Sequence, residues 1–112
     1  MTSLVLTLPP STNNLFINIP GKGRIKSKGY KSWIKSAGWE LVLQHPRSVA
    51  GAYRLHIIVP HNAQPDIDNL IKPISDLLQT HGVIENDRLA KRVTIERAGA
   101  ATGALVTVES AS

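Results

Sequence analysis

Asp66 and Asp68 flank a single apolar residue in the run DIDN, Asn69 adjoins them, and Lys72 follows four positions after Asp68. Two carboxylates this close repel each other, and one tends to hold a proton unless a cation lies between them. Two readings supply that cation. In the first, an aspartate caps a helix, Lys72 pairs one turn beyond Asp68, and Asp76 pairs with Lys72 one turn later, so the charges need no chemistry at all. In the second, the charges hold a metal. The run VIENDR adds Glu85, Asn86 and Asp87. A strand starting after Asp87 and pairing beside the strand that ends at Val59 brings Asp87 toward Asp66 and Asp68. Three carboxylates without a thiol are hard oxygen donors of the kind Mg²⁺ or Mn²⁺ prefers. A metal so held lowers the pKa of bound water and orients a phosphodiester, and a nearby lysine stabilises charge on the phosphate or the leaving oxygen.

These residues need elements to position them. Residues 3–8 (SLVLTL) alternate apolar and polar and predict a strand closed by Pro9-Pro10, after which STNNLF reads as a turn-rich loop. Tyr30, Trp33, Ile34, Ala37, Leu41 and Val42 recur at helical spacing and predict a helix over 27–45, weakly interrupted by Gly38. Residues 52–59 (AYRLHIIV) read as the next strand, and a second helix is predicted over 68–81, stopping at Gly82. Strands at 92–97 and 104–109 complete the order β-α-β-α-β-β. The expected fold is therefore α/β (α+β): a small mixed β-sheet with helices packed against it, one domain over residues 1–112. Asp66 and Asp68 fall between a strand end and a helix start, where open α/β sheets commonly place their sites.

Charge is distributed unevenly. The net charge is +5, yet all eight acidic residues lie at or after Glu40, while Lys22, Arg24, Lys26, Lys28, Lys31 and Lys35 crowd one segment before it. Such a basic arm suits nucleic-acid phosphates, binding them with strong salt dependence and little sequence preference; a solvated surface is the plainer reading. With no cysteine, disulfides, thiolate metal sites and a thiol nucleophile are excluded. No run has the length and apolarity of a membrane span, and MTSLVLTLPP lacks the basic start of a signal peptide, so a cytoplasmic protein without membrane attachment is expected.

The stretches LPPSTNNLF, DIDNLIKPISDLL and GVIENDR together resemble the RusA-type Holliday-junction resolvases, small endodeoxyribonucleases common in phages and prophages. The resemblance runs through most of the chain in order. It implies that Asp66, Asp68 and Asp87 are acidic metal ligands, Lys72 the catalytic lysine and Asn69 a supporting site residue. It further implies Mg²⁺ dependence, a homodimer, and paired symmetric nicks across a four-way junction or other branched DNA. Two departures stand out: family members often carry paired aspartates where this chain has Asn86-Asp87, and Pro73 follows Lys72 directly.

Other conspicuous residues have plainer readings. His45, His56, His61 and His81 lack ligand spacing, although His61 precedes Asp66 closely; Trp33 belongs to the apolar helical stripe, whereas Trp39 could stack on bases. Asn13 and Asn14 suit a turn, and Ser11 has no evident base to make it a nucleophile. Two competing functions remain open on these residues: a non-catalytic DNA- or RNA-binding module whose aspartates only cap and pair, and a metal-dependent phosphoesterase of small nucleotides.

Overall fold

The computed structural model describes residues 1–10, 15–63, 66–99 and 102–111; Ser11, Asn13 and Asn14 lie outside them. The chain runs β1 (Thr2–Leu6), β2 (Phe16–Ile19), β3 (Gly23–Lys26), α1 (Lys28–Leu43), β4 (Tyr53–Val59), α2 (Ile71–Thr80), β5 (Ala90–Arg97) and β6 (Ala104–Ser110), with 3₁₀ turns at Ile67–Leu70 and Asp87–Leu89. Four strands form one mixed sheet in the order β1-β6-β4-β5. Strand β6 lies antiparallel to both β1 and β4, whereas β4 and β5 are parallel. A parallel pair needs a long crossover, and α2 with its flanking turns provides it.

Alternation decides which sheet face is buried. Leu4 and Leu6 of β1, Tyr53, Leu55, Ile57 and Val59 of β4, and Ala104, Val106 and Val108 of β6 all belong to the core. Against them pack Tyr30, Trp33, Ala37 and Leu41 of α1 and Ile74, Leu77 and Leu78 of α2. Trp33 is thus core, as its place in the stripe predicted, and its indole Nε1 donates to the carbonyl of Thr7 at 2.7 Å. The interruption expected at Gly38 does not occur, since α1 runs unbroken through it; a Cβ there would meet His81 Nε2 at 3.0 Å.

The structure departs from the expected element order ahead of α1. Residues read as loop and basic arm instead form the β2–β3 hairpin, a second, two-stranded sheet. Its turn, Ile19-Pro20-Gly21-Lys22, closes with Lys22 N donating to Ile19 O at 3.0 Å, and Gly21 takes φ +80°, the type II arrangement that Pro-Gly favours. The strands are four residues each and mostly exposed, so apolar alternation gives little sign of them.

Helix α2 begins later than expected. Residues 67–70 wind as 3₁₀, and the α-helix starts at Ile71, which places Lys72 and Pro73 in its first turn. There the proline costs nothing, because the first amides of a helix have no intrahelical acceptor. The far end matches expectation. Gly82 takes φ +72° beyond the His81 cap, with Gly82 N donating to Gln79 O at 3.1 Å and Val83 N to Leu78 O at 2.9 Å. This is a Schellman stop, and the buried pair Leu78 and Val83 supplies its usual apolar contact.

Candidate active site

Lys72 is the centre of the polar contacts. Its ammonium donates to Asp76 Oδ1 and to Asp87 Oδ2, each at 3.0 Å. These hydrogen bonds, that to Asp87 foremost, raise its pKa above the ordinary lysine value. Asp87 is held from several sides. Its backbone amide donates to Gln79 Oε1 at 3.0 Å, and the Tyr53 hydroxyl donates to its carbonyl at 3.4 Å. Asn86 caps the 3₁₀ turn that carries it, accepting from Arg88 N at 2.9 Å. Glu85 takes no part, since its carboxylate accepts the amide of Gly51.

Asp68, Lys72 and Asp87 border one open concavity of about 310 Å³, floored by Tyr53 and Ser75. Burial, then the Asp87 charge, pushes the Tyr53 phenol pKa up, as burial and the Asp76 charge do for Tyr30. Asp66 and Asn69 are not among the lining residues; the Asp66 carbonyl accepts from Asn69 N at 3.1 Å, and its side chain is exposed. Among the described residues no three acidic or imidazole groups converge as a metal cluster.

The parallel register explains this division. Tyr53 faces Ala90 and Val59 faces Arg97, so Asp87 enters at the amino end of the pair, roughly 20 Å of strand from Val59 at about 3.3 Å per residue. The expectation that the strand after Asp87 pairs beside β4 therefore holds, but Asp87 arrives at the opposite end of β4 from Val59. Asp68 reaches the same concavity because the turn Ile67–Leu70 packs against β5.

Capping does not explain the acids. Asp66 precedes the 3₁₀ turn without a side-chain cap bond, and the residue before α2 is Leu70, also without one. Asp68 and Asp87 instead offer carboxylate oxygens, beside the Ser75 hydroxyl, and Asp87 already binds a cation in the Lys72 ammonium. This all-oxygen set fits Mg²⁺, which takes one or two protein carboxylates and fills its other positions with water or phosphate.

Lys22, Arg24, Lys26, Lys28, Lys31 and Lys35 are all exposed, and none forms an ion pair among the described residues. The hairpin carries the first three and α1 the rest. Arg24 lies over the Phe16 ring at 4.2 Å. Trp39 on α1 is 62% exposed. His56 on β4 bonds Thr94 and Glu96 across to β5, and His61 reaches Gly99 O at 3.2 Å, so both histidines have structural partners.

Residues 9–109 match the family described as Endodeoxyribonuclease RusA. The chain belongs to the RusA family. It is also 33% identical over 86 residues to the crossover junction endodeoxyribonuclease RusA of Aquifex aeolicus (strain VF5), a match spanning 73% of this chain and 68% of that relative. In this RusA-family chain, Asn86 has a defined task as a turn cap, and asparagine and aspartate do that task about equally well. Sequence reasoning missed Gln79, Tyr53 and Ser75 as site neighbours. The signal for Gln79 was present: Asp68, Lys72, Asp76 and Gln79 follow at four-, four- and three-residue steps, a polar stripe on a helix whose other face is core.

Proposed function

We propose that this RusA-family chain is an Mg²⁺-dependent endonuclease that resolves Holliday junctions, cutting as a homodimer with paired symmetric nicks. The observation that carries the reading is the meeting of Asp68, Lys72 and Asp87 in one open concavity. Asp68 and Asp87 would hold the metal, with Asp66, exposed just ahead of the 3₁₀ turn, as the third carboxylate and Mn²⁺ as an alternative ion. Such a metal supplies an activated water and charge neutralisation at the phosphate. The chain's own residues do the rest. Lys72 places a compact positive charge against the oxygen that leaves. Tyr53 and Gln79 fix the backbone of Asp87, so the segment that carries its carboxylate stays in place during the reaction. Asn69 supports the turn between Asp66 and Lys72. The exposed cations from Lys22 to Lys35 bind DNA backbones on two elements at once. A two-fold dimer would present two such sites to two equivalent strands.

The missing cap bonds at Asp66 and Leu70 weigh against helix capping as the role of Asp66 and Asp68. Incubation of the protein with an end-labelled four-way junction, and with a linear duplex of the same sequence, with and without Mg²⁺, tests the reading. Paired nicks on the junction alone, only with the metal, are expected. Binding without cutting would return the chain to the class of non-catalytic DNA-binding modules.

A further inference from the structure

Asp76 is a carboxylate to which the proposed chemistry assigns nothing. It lines the adjoining groove of about 500 Å³, with Lys26, Tyr30 and Gln79, rather than the concavity of Asp68 and Asp87. Yet it shares the ammonium of Lys72 with Asp87 at the same 3.0 Å distance. The two partners differ in how they are attached. Asp76 sits one turn after Lys72 on α2, so the helix itself keeps the pair adjacent. Asp87 belongs to the turn beyond the helix end. When Asp87 engages a divalent cation, the lysine is left with one partner fewer, and a long exposed side chain without any partner spreads over many rotamers. We propose that Asp76 is a positioning residue that keeps the Lys72 ammonium at the reaction centre when Asp87 turns to the cation; this rests on the function proposed above. Tyr30 lines the same groove as Asp76, and its phenol pKa is raised by the Asp76 charge and lowered by that of Lys72.

Wild type, Asp76→Asn, Lys72→Ala and the double variant provide the test, read as single-turnover cleavage of a four-way junction at saturating Mg²⁺ beside junction Kd. Asp76→Asn should slow cleavage roughly tenfold through misplacement of the amine, with Kd within about twofold. It should cost nothing further in the Lys72→Ala background, because coupled residues are non-additive. Asp76→Glu, which still reaches the lysine, should recover most of the rate. In the DNA-free protein at saturating Mg²⁺, ¹⁵N relaxation should show a looser Lys72 Nζ in Asp76→Asn than in wild type. A wild-type cleavage rate in Asp76→Asn, an equal loss with Lys72 absent, or an unchanged Nζ order parameter overturns the proposal. If Nζ loosens but the wild-type protein cuts no junction, the proposed function fails, and Asp76 is reduced to a surface ion-pair partner.

Discussion

The Lys72 side chain is 72% exposed, and its two carboxylate partners are 45% and 30% exposed. Ion pairs in such surroundings typically contribute about 0–1 kcal/mol, so Lys72→Ala should melt close to wild type. A charge held at the scissile phosphate has a larger effect on rate than on stability. The same variant should cut roughly a hundredfold more slowly in a single turnover while still binding junctions. Lys72→Arg should recover little, since a planar fork replaces a point charge. A stable Lys72→Ala protein that cuts at the wild-type rate removes this residue from the chemistry. Asp68 is the matching case on the acidic side. It is exposed and provides no cap bond, so Asp68→Asn should leave melting unchanged. Losing the charge that a metal needs should abolish Mg²⁺-dependent cleavage and preserve junction binding. Wild-type cutting by this variant would exclude Asp68 as a ligand.

Two neighbouring elements share the cationic surface: the hairpin holds Lys26, and α1 holds Lys28 and Lys31. Ser27 joins them, capping α1 by accepting from Tyr30 N at 3.1 Å. Because the three lysines are exposed, replacing them with glutamine should leave the fold intact. It should weaken binding to every DNA and lower the slope of log K against log salt by about 0.9 for each phosphate no longer neutralised. An unchanged slope assigns them to solubility alone. At this scale the sequence was readable where elements are long and half-buried. Helix α1 and strands β4 and β6 announce themselves by periodicity. The hairpin does not, because its short strands bury almost nothing; only Pro-Gly in its turn signals it.

Alkaline stability belongs to the molecule as a whole. Tyr30 and Tyr53 both lie in the core with phenols raised above the ordinary 10.0, chiefly by burial, and Lys72 is raised above 10.5 by its carboxylate partners. Each group holds its proton more tightly folded than unfolded. Their stabilisation is therefore complete below the unfolded values and is lost as pH rises through the folded ones. Urea midpoints should be level with respect to these groups up to about pH 9 and decline above about pH 10. Tyr53→Phe should flatten that decline; a midpoint falling as steeply without the phenol assigns it to other groups.

By itself the sequence determined the kind of chemistry available and most of the scaffold. Oxygen donors without sulfur, a lysine one turn from Asp68, a basic segment, the α1 stripe and the Gly82 stop all follow from residue type and local spacing. What tertiary structure alone decided is which acids meet. A parallel pairing with α2 as crossover carries the entry of β5 to the Tyr53 end of β4, and the 3₁₀ turn at Ile67–Leu70 packs against β5. Asp68 and Asp87 thereby face one concavity that Asp66, two residues from Asp68, does not line. Spacing along a chain reports neighbours on one element; strand register, which joins distant segments, is set by packing.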